Sequence, residues 1–183
     1  MLKREIIDWL DKMDIKNYSL RDDLTVDVDG SVFLFNKNLK VIPVQFGIVK
    51  GDFYCYGNNL KSLKGCPQTV GGSFSCSWNK LESLEGCPET IGGDFDCSNN
   101  NLKSLEGCPE IVESDFYCYE NKLKSLEGSP KTVGGNFWCS RNKLESLKYL
   151  PDIKGQLYCD DHLKESEEYC KWKYHYLMNK RNA

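Results

Sequence analysis

The chain has 183 residues, 40% of them hydrophobic and 28% charged, which fits one globular domain with a buried core and excludes an intrinsically disordered chain. The formal net charge is only −3, and no run of lysine or arginine precedes the C-terminal tail. A nucleic-acid partner is therefore not expected, because a phosphate backbone calls for a basic footprint.

Residues 1–31 read as an N-terminal helix and hairpin cap. Leu2, Ile6, Leu10 and Met13 recur at helical spacing, and Leu24-Thr25-Val26-Asp27-Val28-Asp29-Gly30 reads as a strand entering an Asp-Gly turn. The opening Met1-Leu2-Lys3-Arg4-Glu5 leads into this amphipathic segment, not into the apolar core of a signal peptide. No apolar run approaches the roughly 20 residues of a membrane helix. A cytoplasmic protein with no membrane partner is expected.

From 32 to 159 the chain repeats itself. Cys55, Cys76, Cys97, Cys118 and Cys139 step by 21 residues, with Cys159 one residue early. Cys66, Cys87 and Cys108 form a second series, which Ser129 continues without a thiol. Leu39, Leu60, Leu81, Leu102, Leu123 and Leu144 keep the same step, and the clearest unit reads Phe-x-Cys-x-x-Asn-x-Leu-x-Ser-Leu-x-Gly-x-Pro. Such a period means a solenoid in which each coil buries its apolar face only against its neighbours.

Within a coil, Phe74-Ser75-Cys76 has the in-out-in alternation of a short strand. Phe53, Phe74, Phe95, Phe116 and Phe137 are expected to stack along the core beside the cysteines. A cysteine at a ladder position is a small buried hydrophobe, so reduced thiols are expected and not disulfides. Asn58, Asn79, Asn100, Asn121 and Asn142 share the period, as suits a side-chain amide that satisfies backbone groups of a buried turn. Gly71-Gly72, Gly92-Gly93 and Gly134-Gly135 precede strands, and Pro67, Pro88, Pro109, Pro130 and Pro151 occupy the return segment. The back of the coil should then be extended and irregular, with little or no helix. Glu113-Ser114 replaces one glycine pair, so the backbone there should differ.

Asn-x-Leu-x-Ser-Leu-x-Gly-x-Pro following Phe-x-Cys resembles the leucine-rich repeats encoded by large bacteriophages and some bacteria. It is also similar to the repeat of secreted bacterial effectors, Asn-x-Leu-x-x-Leu-Pro, although here Gly and Cys or Ser intervene before Pro. The resemblance implies a β-rich solenoid, a curved leucine-rich-repeat horseshoe with a parallel sheet on its concave face. Such effectors often carry a catalytic ubiquitin-ligase domain, which this chain has no spare residues to hold.

Residues 160–183 read as a C-terminal capping helix, completing a single domain over 1–183. Asp160 and Asp161 are candidate N-caps, and Leu163, Cys170, Tyr174 and Leu177 follow at helical spacing towards Lys180 and Arg181. Trp172, Tyr174 and Tyr176 are read as packing residues, with partner recognition as the alternative.

Motifs for catalysis are missing. His162 and His175 are the two histidines, and neither belongs to a nucleophile motif. Cys159-Asp160-Asp161-His162 with Cys170 lacks the tight ligand pairs of a zinc site. No glycine-rich phosphate loop follows a strand. No enzyme, no metal and no cofactor are expected.

Function should lie on the outward strand positions. One column runs Phe33, Tyr54, Ser75, Asp96, Tyr117, Trp138 and Tyr158, and the next Phe35, Tyr56, Ser77, Ser98, Tyr119, Ser140 and Asp160. A third contributes Trp78, Glu120 and Arg141. Large rings facing solvent from a rigid sheet suit an interface, since Tyr, Trp and Arg dominate hot spots. The alternative is that the rings merely pack on one another. Asp52, Asp94, Asp96, Asp115, Glu120, Asp160 and Asp161 lie on or beside this face against a single arginine, so a basic protein surface would suit it. Lys61, Lys80, Lys103, Lys122, Lys124 and Lys143 fall after the strands, as a solvated edge.

The expected function is a non-catalytic protein-interaction module. By analogy with the phage-like repeat, it would bind and inhibit or modulate a host protein such as a defence component, in the host cytoplasm. Two other readings use the same surface. One is a small-molecule or nucleotide binder with Arg141 as the sole phosphate anchor, and the other is a virion structural or assembly component.

Overall fold

The computed structural model describes residues 2 to 181, and they form a β-solenoid with a helix at each end. Each coil passes through two short strands. The first series is β3 (Val32–Phe33), β5 (Phe53–Tyr54), β7 (Phe74–Ser75), β9 (Phe95–Asp96), β11 (Phe116–Tyr117), β13 (Phe137–Trp138) and β15 (Leu157–Tyr158), joined in chain order into a parallel seven-stranded sheet. Phe53 pairs with Phe74, Phe74 with Phe95, Phe95 with Phe116 and Phe116 with Phe137, so the sequence period becomes the sheet register without slippage.

The inward phenylalanines form one file along the axis. Successive ring centroids from Phe53 to Phe137 are 5.8, 5.8, 5.2 and 5.2 Å apart, and all five rings are fully buried. Cys55, Cys76, Cys97, Cys118 and Cys139 make the next file, and leucines such as Leu81 and Leu84 close each layer from behind. Each Phe contributes about 1.5–3 kcal/mol through burial, but only while its neighbour coils are in place.

Two polar ladders bind coil to coil, and a third braces each coil's own turn. The amide of Asn100 donates to Cys76 O in the preceding coil and to Cys97 O in its own, and its oxygen accepts from Leu81 N. Asn79, Asn121 and Asn142 repeat these bonds in their own coils, which meets the expectation for these asparagines. A second ladder lies just before the strands, where Ser31, Asp52, Ser73, Asp94, Asp115 and Asn136 each accept from a backbone N–H of the next coil. In a third, Ser62, Ser104, Ser125 and Ser146 each cap the N–H two residues on.

The back of the coil is more regular than its glycines and prolines suggest. β4 (Phe46–Val49), β6 (Thr69–Val70) and β8 (Thr90–Ile91) form a second parallel ladder, and β10 (Ile111–Val112), β12 (Thr132–Val133) and β14 (Asp152–Ile153) a third. The irregular back expected from Gly and Pro is thus corrected to a strand. The β-branched Thr-Val and Thr-Ile pairs supply it, and the prolines are confined to the buried turn before them.

The two back ladders meet at Glu113-Ser114 and do not pair there. The first residue of the pair is lysine at Lys50 and Lys154, which still bond the coil before, but the second is glycine in every other coil, and a Cβ built on Gly93 would stand 2.6 Å from Ser73 Oγ and 2.9 Å from Ser73 N. Ser114 carries that Cβ. Glu110, Glu113 and Ser114 make none of the backbone bonds to the preceding coil that Glu89, Gly92 and Gly93 make to theirs.

Both ends are covered. α1 (Lys3–Lys12) buries Ile6 and Leu10, with Trp9 against Phe46 at 6.4 Å, while Leu2 is exposed. β1 (Tyr18–Leu20) and β2 (Val26–Val28) form an antiparallel hairpin, and β2 starts the back ladder by pairing with β4. At the other end Asp160 does not open the final helix. Asp161–Leu163 is a single 3-10 turn, and α2 (Glu167–Arg181) begins after it, with Ser166 accepting from Tyr169 N. This break shifts the helical phase. Tyr169, Trp172 and Tyr176 turn towards the last coil, and the expected stripe of Cys170, Tyr174 and Leu177 faces solvent. Among the described residues no helix is long and apolar enough to cross a membrane.

Candidate functional site

The outward positions of the seven-stranded sheet carry the expected first column in register: Phe33, Tyr54, Ser75, Asp96, Tyr117, Trp138 and Tyr158 stand on successive strands. The rings of this column and of the next are only partly exposed, because they stack on one another. Phe35 lies on Tyr56 with centroids 5.0 Å apart and planes 6° from parallel, and Trp138 lies on Tyr158 at 3.5 Å and 6°. Both sequence alternatives therefore have a physical basis here, since the rings pack into ladders and still present edges and faces to solvent. The Trp138 Nε1 is buried without a partner.

Trp78, Glu120 and Arg141 occupy a different kind of position from the strand columns. They sit in the turn after the strand, and their φ angles are 51°, 53° and 55°, at the place where Asn36, Gly57 and Asn99 stand in other coils. Left-handed backbone suits Gly and Asn and strains a bulky side chain by about 1–2 kcal/mol. Trp78 is nonetheless 63% exposed, so no burial offsets that strain. A costly residue without a stabilising return marks a candidate for function.

The carboxylates divide into three groups. Glu120 pairs with Arg141 and Asp161 with Lys164, which removes two of the seven from the expected negative field. Asp160 caps the N–H of Arg141 at 2.8 Å. Asp52, Asp94, Asp96 and Asp115 have no cationic partner among the described residues. Three of these, Asp52, Asp94 and Asp115, are rungs of the polar ladder described above. The period of 21 at Ser31, Asp52, Ser73, Asp94, Asp115 and Asn136 was the signal for that role, since every residue there has a short side-chain acceptor.

Asp96 is fixed differently. Its carboxylate accepts from Ser98 N at 3.0 Å, Ser98 Oγ at 2.6 Å and Ser75 Oγ at 3.2 Å, and Ser75 and Ser77 hydroxyls are 3.0 Å apart. Around it the surface forms a cleft of about 380 Å³, walled by Tyr54, Tyr56 and Trp78 on one side and Tyr117 on the other. A second hollow of about 400 Å³ brings together Tyr117, Tyr119, Trp138, Ser140 and Arg141. Desolvation, and then the carboxylate Asp115, which accepts its O–H at 2.9 Å, hold the Tyr117 phenol far above its usual range. Desolvation and Asp52 raise Tyr54 likewise, so neither phenol adds charge near neutral pH.

The structure does not assemble the other groups singled out in the sequence. His162 Nε2 lies 3.0 Å from Leu144 O, Cys159 is buried and Cys170 is exposed on α2, so they share no centre. Among the described residues no group of three or more His, Cys, Asp or Glu is placed to hold a metal. The chain matches no family model, no curated protein and no solved structure.

Proposed function

We propose that the chain is a non-catalytic binding protein whose seven-stranded face holds a protein partner with a basic surface. The observation that carries this reading is the coincidence, on one rigid sheet, of partly exposed stacked rings and four carboxylates without cations. Stacked rings offer contact area at little entropic cost, and a fixed negative field steers a basic partner. Tyr54, Tyr56, Trp78, Asp96, Tyr117, Tyr119, Trp138 and Tyr158 are the contact residues, with the Glu120–Arg141 pair as rim. We read the coil as a leucine-rich repeat of the phage and bacterial type, and the partner as a host protein that is inhibited or modulated. Ten free cysteines, nearly all enclosed, support a reducing cytoplasmic setting.

A nucleotide is a poorer fit to this face. The phosphate anchor would be Arg141, which is already engaged by Glu120, and the carboxylates repel phosphate.

The test is affinity capture from bacterial lysate on immobilised wild-type protein beside Tyr117→Ala and Trp138→Ala. A specific protein retained by wild type, lost from both variants and released by roughly 0.5 M salt is the expected result. Capture that ignores both substitutions would overturn the reading.

A further inference from the structure

The two ring columns are interrupted at the same two coils. Between Tyr54 and Tyr117 the first column carries Ser75 and Asp96, and between Tyr56 and Tyr119 the second carries Ser77 and Ser98. With strands about 4.8 Å apart, the absent rungs leave a trough roughly 14 Å across between the flanking strands. Its walls are aromatic and its floor is made of hydroxyls and two carboxylates, Asp94 and Asp96.

The direction of the floor's hydrogen bonds defines what fits. Ser98 Oγ donates to Asp96, and so does Ser75 Oγ. Ser75 has one proton, so the contact between Ser75 and Ser77 is donated by Ser77. The protons of Ser75, Ser77 and Ser98 therefore run towards the Asp96 carboxylate, and around it these hydroxyls offer a ligand lone pairs only. Two residues earlier in the same coil, Asp94 Oδ1 accepts from Asp115 N, while its second oxygen has no hydrogen-bond partner among the described residues. A complementary group must be flat enough to stack on a wall ring, positively charged, and composed of donors without acceptors. Guanidinium meets all three conditions, whereas an ammonium is a compact, strongly hydrated point charge that does not stack as a plane.

We propose that this trough seats an arginine side chain of the protein partner, its guanidinium lying in the place of the missing rungs, stacked on the aromatic wall of Tyr54 and Tyr56 or on that of Tyr117, and donating to Asp96 and Asp94. The proposal rests on reading the face as a protein-binding surface, and it assigns that surface its anchor.

The test uses Nα-acetyl-arginine-amide titrated into the isotope-labelled full chain and followed by amide and indole NMR shifts. Saturable shifts should appear at Ser75, Ser77, Trp78, Asp96 and Ser98. Nα-acetyl-citrulline-amide, of the same shape but neutral, should give none, and Nα-acetyl-lysine-amide should bind at least threefold more weakly. Asp96→Asn keeps an acceptor for Ser98 and removes the charge, so saturation should be lost. Ser77→Tyr restores a rung and should block the trough even if Asp96→Asn fails to fold. Equal binding of citrulline, shifts elsewhere on the chain, or wild-type binding by folded Asp96→Asn or Ser77→Tyr overturns the proposal. A captured partner that depends on Tyr117 and Trp138 but ignores Asp96→Asn and Ser77→Tyr sinks the arginine seat and leaves the interface standing. Arginine binding without any partner dependent on the face does the reverse.

Discussion

The indole of Trp138 lies flat against the ring of Tyr158, with centroids 3.5 Å apart, and Tyr117 covers its other face at 6.1 Å. Trp138 is thus the middle of a three-ring stack and contributes to stability as well as to the surface. Trp138→Ala should cost about 1–2 kcal/mol, more than an exposed ring would, and lower the melting temperature by about 2–8 °C. Trp138→Phe, which keeps a ring in the stack, should lose less than half of that. Calorimetry on the pair decides the point, and an alanine variant that melts like wild type would mean the stack adds no stability.

Asn100 joins two coils with four bonds from one buried amide. Asn100→Ala leaves Leu81 N unpaired in the interior, while Asn79 and Asn121 still donate to Cys76 O and Cys97 O, and it should cost about 1–3 kcal/mol. Asn100→Asp should be comparably costly, because a carboxylate accepts from Leu81 N but cannot donate to the carbonyls of Cys76 and Cys97. Neighbouring Asn101, whose side chain makes no bond in the structure, should tolerate Ala within about 0.5 kcal/mol. Urea unfolding of the three variants checks the order.

Much of this architecture was legible because a 21-residue period writes every ladder into the sequence. Phe74, Cys76, Asn79 and Leu81 each recur in one environment, so inward and outward positions follow from the period and the strand alternation alone. The Thr69-Val70 strand was harder to see. Two residues give no alternation, and the adjacent Gly and Pro argue for irregular backbone. The C-terminal helix misled for a related reason, since the 3-10 turn at Asp161–Leu163 resets the helical phase that Leu163 had appeared to set. The face was legible as two columns of names, but Ser75, Ser77, Asp96 and Ser98 form a trough only once register places them side by side. The direction of their protons depends on contacts that spacing does not encode.

Burial pushes the thiols of Cys66, Cys76, Cys87, Cys97, Cys108, Cys118, Cys139 and Cys159 above the ordinary cysteine range. A folded thiol holds its proton more tightly than an unfolded one, so the unfolded state sheds protons first as pH rises. This contribution to stability is complete below about pH 8.5 and declines above it, by at most about 1.4 kcal/mol per pH unit for each thiol. Denaturation at pH 7, 9 and 10 should show the decline, and Cys97→Ala should make it shallower. Native alkylation at pH 8 should modify exposed Cys170 quickly and the ladder thiols only on unfolding. Fast labelling of Cys76, Cys97 or Cys118 in the native state would contradict their burial.

The gap in the back ladder should be repairable. Replacing Glu113-Ser114 with Gly-Gly removes the Cβ that keeps β10 from β8, and up to three inter-coil bonds become available at about 0.5–1.5 kcal/mol each. Two new glycines oppose this through chain entropy by about 0.5–1 kcal/mol each. A net gain of about 1 kcal/mol is expected, with slower hydrogen exchange at positions 110, 113 and 114. Unchanged exchange there would show that something other than the side chains holds the coils apart.

Trp78 separates stability from binding most cleanly. Its left-handed backbone, φ 51°, is strained for an indole that is 63% exposed, whereas Asn99 adopts φ 55° at the equivalent place in the next coil. Trp78→Asn gives the turn a residue that accepts this conformation and opens no cavity, so the variant should be more stable by about 0.5–1 kcal/mol. The same substitution removes one wall of the trough around Asp96, so Nα-acetyl-arginine-amide should bind several-fold more weakly and any partner seated there should dissociate faster. Unfolding curves and NMR titration on one preparation read both effects together. A variant that loses stability would show that Trp78 packs as a structural residue, and one that gains stability while binding arginine unchanged would remove the indole from the site.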